Sequence, residues 1–332
     1  MNNNKPINNK WSFDKENRKP YDKSYIENKI ISYNNIYITE AKKYIEKHFN
    51  NNFGLIEIIY YPITHKETKT HLQKFIKEKL ETFGKYQDVI SKNIIYGSHS
   101  ILSPMLNIVL ITPKEIIKEV LKYYNKNNTN ITTVEAFIRQ IIGWRSYVRF
   151  IYYFHGDEII KMNNFKHLNN LPNNWYTGKT DLNIINDMII KVKKYAYLHH
   201  IERLMIMGNF GFLNQIHPLY LYDWFMICFI DSYEWVMVAN VFGMSQYALT
   251  NISMTTRPYI CSTNYIKKMS NYKNCEWFDL WNSLYWYTIY KHQIIFNKIY
   301  STVIQVNHVL SMKNDLFKNY IKTAKQYLIK NY

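Results

Sequence analysis

The chain predicts an all-α fold, and three observations carry that expectation. Only nine glycines and eight prolines punctuate 332 residues, which is sparse for a fold built on turns between strands. Apolar residues recur at helical spacing through most of the chain, with no sustained two-residue alternation and no internal repeat. Helix-opening signals recur as well: Ser103-Pro104, Thr112-Pro113, and Thr132-Thr133 followed by Glu135. Hydrophobic residues make up 47% and aromatic residues 17%, so the chain can bury a large core.

Residues 1–23 open on the Asn-rich "MNNNKPINNK" and read as a flexible, irregular arm, leaving 24–332 as one helical domain. From about Ser24 the spacing turns helical, with Tyr37, Ala41, Tyr44, Ile45 and His48 on one stripe. "NFGLIEIIYYPITHKET" has strand-like character before Pro62. "HLQKFIKEKLETFGKYQDVI" returns to the helical period with a break expected at Gly84. "SHSILSPMLNIVLITPKEIIKEVLKYY" holds two turn-helix units. "TTVEAFIRQIIGWRSYVRFIYYF" reads as one helix capped by Thr132 or Thr133, with Phe137, Ile141, Trp144 and Val148 inward and Arg145 and Arg149 a turn apart on another face. A loop, the helix bearing His199-His200, and further helices follow.

The formal charge of +17 favours a polyanionic partner, nucleic acid first and an anionic membrane second. An AT-rich coding bias, visible in the abundance of Asn, Ile, Lys and Tyr, gives the same charge without selection for it. Neither a GxGxxG nor a Walker-type loop occurs, which leaves a dinucleotide-binding Rossmann half unsupported. Cys228, Cys261 and Cys275 are widely spaced and suit a reducing compartment rather than a disulfide framework or zinc site. The most apolar run, "WFMICFIDSYEWVMVANVFGM", contains Asp231 and Glu234 and reads as a helix buried on all sides, not a bilayer span. The expectation is a soluble, intracellular protein without a membrane partner, and the coding bias suits a large DNA virus or an AT-rich microbe.

Four constellations carry chemistry. In "KKYAYLHHIERLMIMGNFGF", helical spacing puts Tyr195, His199 and Arg203 on one face. A histidine pair supplies an acid near neutral pH, or is one core histidine, His200, beside one surface histidine, His199. In "SHSILSPMLN", Ser98, Ser100 and Ser103 suit a phosphate at a helix start, or plain capping. "IRQIIGWRSYVR" mixes Arg with Trp and Tyr, as phosphate and base contacts do, and as an ordinary aromatic helix face also does. "NVFGMSQYALTN" and "TTRPYICSTNYI" place polar groups beside an apolar core, as a ligand-pocket wall does; turn chemistry is the competing reading.

Taken in order, eight blocks resemble the photolyase-related proteins of the bacterial iron–sulfur cryptochrome and (6-4) photolyase type. They are "WSFDKENRKP", "FGKYQDVI", "HSILSPMLNI", "VEAFIRQIIGWRSYVR", "WYTGKTDLN", "HHIERLMIMGNF", "DSYEWVMVANVFGMSQYA" and "RPYICSTNYIKKMS", collinear from Trp11 to about Tyr287. The resemblance implies a helical FAD-binding domain reaching a flipped UV lesion in DNA, light-driven electron transfer from reduced flavin, and repair of the lesion. It assigns Ser100, Leu102, Ser103, Gln140, Arg145, Arg203 and Asn264 to the flavin. His200 and His199, with His200 as proton donor, and Tyr259 and Tyr265 go to the lesion. Trp144 and Arg149 go to DNA, and Trp224 and Tyr176 to electron transfer. Catalytically degenerate flavin and DNA binding is the alternative implied function; a structural remnant is the third.

Departures from the family pattern sit beside these matches. The chain opens where the family's α/β antenna domain has ended, so that domain and its chromophore are expected to be absent, with a separately encoded antenna protein as a possible partner. Ile184 stands at an iron–sulfur ligand position and Cys275 alone is kept, so the cluster is expected to be lost and no metal held; packing around Trp277, Phe278 and Trp281 would replace it. Met237 ends the family's "EWVE". Tyr176 replaces a tryptophan, and Phe225 a tyrosine. Leu249 replaces the aspartate that partners Arg203, leaving Asn251 or flavin as the acceptor expected to replace it.

Overall fold

Capping sets the first helices. A computed structural model describes residues 6, 9–14, 17–249, 254 and 257–332. The chain forms two compact units, residues 1–89 with 93–147, and 90–92 with 148–332. No composition shift marks that division in the sequence. In the first unit α1 (Ile36–His48) is capped by Asn35. A reciprocal capping box, Thr64 with Glu67, opens α2 (His65–Glu78). The expected break at Gly84 lies instead at Lys79, whose φ of −127° separates α2 from α3 (Leu80–Tyr86). Gly84 sits inside α3 because a Cβ there would meet Asn17 at 2.5 Å and the Thr133 backbone at 3.2 Å.

Ser103-Pro104 opens α4 (Ser103–Asn107), and Thr112-Pro113 opens α5 (Pro113–Asn127) with a second capping box to Glu115. For α6 (Ile131–Arg139) the cap is Asn130, not the expected Thr132 or Thr133. The Thr133 hydroxyl is otherwise engaged: it donates to Leu80 O at 2.6 Å and accepts from the Gly84 N–H at 3.0 Å. The strand-like segment before Pro62 makes only an isolated bridge, Tyr33 to Ile59. Leu72, Phe75, Leu102, Met105, Ile116, Phe137 and Ile141 share one buried core.

The expected single helix over 132–154 is two, α6 and α7 (Arg145–Ile159), joined by a π-helical turn at Gln140–Trp144. Two longer π segments occur in the second unit, at Glu202–Gly208 and Val238–Ser245. The α-helices of that unit are α8 (Asn174–Thr177), α9 (Asn183–Tyr195), α10 (Asn209–Leu213), α11 (Pro218–Cys228), α12 (Glu234–Met237), α13 (Thr263–Met269), α14 (Phe278–Lys291), α15 (Gln293–Phe296), α16 (Val303–Leu310) and α17 (Asn314–Asn331). The apolar run 224–244 is therefore not one buried helix. It breaks at Phe229 and leaves Ile227 and Ile230 exposed. Trp175, Trp224 and Trp281 are the largest fully buried side chains here. Among the described residues no helix is long and apolar enough to cross a membrane.

Candidate functional site

In the first unit the loop before α4 is held from beneath by a carboxylate. Glu27 accepts three successive backbone N–H groups, from Ile95 at 2.8 Å, Tyr96 at 2.6 Å and Gly97 at 2.7 Å. Gly97 has φ +50°, and a Cβ there would run into the Tyr21 hydroxyl, so a larger residue would be strained and would displace Tyr21. His71 Nε2–H donates to Ser100 O at 2.8 Å while Nδ1 accepts from the Tyr33 hydroxyl at 3.1 Å. Burial lowers the His71 pKa and keeps this relay neutral.

Ser98 is fully buried, its hydroxyl engaged by Thr82 at 2.8 Å and Tyr25 at 3.4 Å. Ser100 and Ser103 are half-buried, and Leu102 lies in the core. No side chain caps α4, so capping does not account for these serines. The π turn keeps Gln140, Trp144 and Arg145 half-buried and Arg149 exposed, with Trp144 edge-on to Tyr147 at 5.7 Å. Leu102 and Ile141 share the same buried core, so the serine loop and the π turn rest on one foundation. The hydroxyls of Ser100 and Ser103, the start of α4 and the Arg145 guanidinium are each groups of the kind that suit an anionic diphosphate.

In the second unit the expected face of Tyr195, His199 and Arg203 does not form. Helix α9 ends at Tyr195, and Ala196 turns left-handed at φ +48°. His200 begins the next helical stretch after a three-residue extended piece. The break delivers the paired histidines to opposite environments: His199 is buried and His200 exposed, the reverse of the bland expectation. Behind His199 lies a buried charge cluster. Glu202 Oε1 is 3.6 Å from His199 Nε2 and 2.7 Å from Lys191 Nζ, and Lys191 also donates to Ser91 O at 2.5 Å. Lys191 and Glu202 were not legible as site residues, although a Glu in an otherwise apolar stretch was a usable signal.

Arg203 has a partner that the sequence reading missed. Its guanidinium forms a two-point ion pair with buried Asp231, Nη1 to Oδ1 at 2.8 Å and Nη2 to Oδ2 at 3.1 Å, and its Nε donates to Leu198 O at 2.6 Å. It also lies over the Phe229 ring at 4.3 Å. Asp231 thus takes the place of the lost aspartate at Leu249, and the expected acceptor Asn251 lies outside the described residues. Next to this pair, Phe229 packs on Trp224 at 5.6 Å, and Trp224 edge-on to Trp175 at 5.2 Å. Tyr176 follows Trp175 and is half-buried, its hydroxyl pKa raised by desolvation.

Tyr259 and Tyr265 are both half-buried. Tyr247, at φ +51°, anchors the segment before them: its hydroxyl accepts from the N–H groups of Tyr259 at 2.7 Å and Ile260 at 3.0 Å. Asn264, on α13, lines a cavity with Asn282, Trp286, His308 and Lys313; Arg203 is not among its lining residues. Ile184, Trp277, Phe278 and Trp281 are buried, and Tyr272 donates to Asp187 at 2.7 Å. Among the described residues no three His, Cys, Asp or Glu side chains are arranged to hold a metal.

A family model described as "Deoxyribodipyrimidine photo-lyase-related protein" matches residues 1–61. Over 297 residues the chain is 36% identical to the (6-4) photolyase of Agrobacterium fabrum, covering 86% of this chain and 58% of that protein. The chain thus spans less than two thirds of the length of that relative. The chain belongs to the photolyase-related proteins. Two uncharacterized proteins of Acanthamoeba polyphaga mimivirus match shorter stretches. One is 45% identical over 87 residues, covering 26% of this chain and 70% of the relative; the other is 37% identical over 112 residues, covering 33% and 85%. The crystal structure of a bacterial class III photolyase from Agrobacterium tumefaciens superposes with a TM-score of 0.49 at 15% identity, covering 81% of this chain and 55% of that one.

Proposed function

We propose that this chain is an FAD-dependent photolyase-type protein that engages UV-damaged DNA and repairs a pyrimidine lesion under light. The observation that carries the reading is the break at Ala196, which sets exposed His200 beside buried His199 with Glu202 and Lys191 behind it. When bound, FAD supplies a light-driven electron to the lesion. Ser100, Ser103 and Arg145 hold its diphosphate, with Leu102, Gln140 and Trp144 as the surrounding wall. His200 donates a proton to the lesion, and His199, held by Glu202, orients it. Tyr259 and Tyr265 line the lesion. Trp224 and Tyr176 would relay electrons from an external reductant toward bound oxidised FAD, and Trp144 and Arg149 would contact the DNA strand. The reading also accommodates a separately encoded antenna-domain protein as a partner.

A second reading, a flavin- and DNA-binding protein without turnover, is favoured by one observation: apolar Met237 and Leu249 stand where the family pattern has a glutamate and an aspartate. The two separate in a repair assay on UV-irradiated oligonucleotides under blue light, with products resolved by chromatography. The first reading expects turnover that falls about 10²-fold or more in His200→Ala at unchanged flavin content. Binding of irradiated DNA with no product at all favours the second.

A further inference from the structure

The helices at the end of the second unit line a half-open cavity of about 510 Å³, within the size range of small-molecule sites. Its lining combines three chemistries. Trp286 on α14 and His308 on α16 supply planar surface, their ring centroids 4.9 Å apart and planes inclined at 37°. Asn264 and Asn282 supply amides. The Asn282 amide is already oriented, since its Oδ1 accepts from the Thr263 N–H at 3.1 Å and the Thr263 hydroxyl at 3.0 Å; its NH2 group is the donor left for a ligand. Lys313, immediately before α17, supplies the cation, and Tyr320 closes the same wall with a further ring and hydroxyl.

These chemistries select a ligand class. An apolar ligand leaves the amides and Lys313 without use. A metal ion finds only one imidazole and no carboxylate or thiolate in the lining. A nucleotide uses all three chemistries: its base covers ring surface that the mutually packed Trp286 and His308 leave facing the cavity, its base edge meets Asn264 and Asn282, and its phosphate pairs with Lys313. We propose that this cavity binds a nucleotide, either free or as one unit of a DNA strand. The inference does not depend on the flavin reading and would hold for a protein that carried no flavin.

Titration calorimetry on the full chain as purified, with no FAD added, tests it, using thymidine 5′-monophosphate, unphosphorylated thymidine and an octathymidylate as probes. His308 and Lys313 are exposed, so His308→Ala and Lys313→Gln leave the fold intact and carry the test even if Trp286→Leu fails to fold. The expected result is one monophosphate per chain, bound more weakly by roughly tenfold in His308→Ala. Lys313→Gln should weaken the monophosphate and leave thymidine unchanged. A parallel loss for the octathymidylate assigns the site to a DNA strand; a loss confined to the monophosphate assigns it to a free nucleotide. No binding of either probe, or equal affinity in wild type and both variants, overturns the inference. Flavin content, read from absorbance in the same samples, fails or holds separately.

Discussion

Arg203 and Asp231 show how one residue pair decides a local structure. A guanidinium this far from water is costly unless an acid neutralises it and its remaining donors find acceptors. Asp231 does the first through two contacts and the Leu198 carbonyl does the second. Asp231→Ala strands the guanidinium and is expected to cost about 3 kcal/mol of stability, read from chemical denaturation. Replacing both, Arg203→Met with Asp231→Leu, should recover much of that loss. If the single variant is as stable as wild type, the pair does not hold this corner. The same logic applies to Lys191, which neutralises Glu202 and ties it to Ser91. Lys191→Met should destabilise by a similar amount, measured the same way.

The π segments Gln140–Trp144, Glu202–Gly208 and Val238–Ser245 each fall within one of the sequence blocks that resemble the family. Each adds a residue to the turn, so the side chains after it shift around the helix axis, and such turns recur at functional sites. Glu202–Gly208 and Val238–Ser245 approach so closely that a Cβ on Gly208 would lie 2.8 Å from Ser245 Cβ. Gln246 Nε2 seals this contact by donating to Gly208 O at 3.3 Å. Gly208→Ala should therefore force the two segments apart and lower Tm by several degrees, whereas the exposed Gly143→Ala should not. An unchanged Tm for Gly208→Ala would mean the contact is loose.

Much at this scale was legible because its causes are local. Thr112-Pro113 with Glu115 announces α5, and the alternation-free apolar pattern announces an all-helical chain. The π turns were not legible, because one inserted residue leaves Phe137, Ile141 and Val148 apolar and merely rotates Trp144. The break at Ala196 was hidden by a residue that favours helix yet sits at positive φ. The Asp231 partner was hidden by 28 residues of separation, although an acid inside an apolar run was its visible trace. The Thr133 hydroxyl, read as a cap, serves a contact to α3 that only the folded chain defines.

At the scale of the molecule, buried imidazoles tie stability to pH. His167 and His292 face each other at 5.3 Å among Phe165, Phe212 and Phe296. Burial pushes the His167 pKa well below 6.5 and that of His292 to about 4. The unfolded chain takes up protons near pH 6.5 that the folded chain refuses. Stability is therefore full above about pH 6.5 and falls as pH drops toward about 4. His167→Phe should flatten that fall, read from Tm across the range; an equally steep profile would place the acid sensitivity elsewhere.

The central claim is that a helical photolyase-related chain keeps its cofactor site, and the absorption spectrum of the purified protein tests it most directly. FAD should co-purify or load on addition, bleach under blue light with a reductant, and be lost in Arg145→Ala while the fold persists by circular dichroism. A well-folded, colourless protein that also refuses added FAD would contradict the claim.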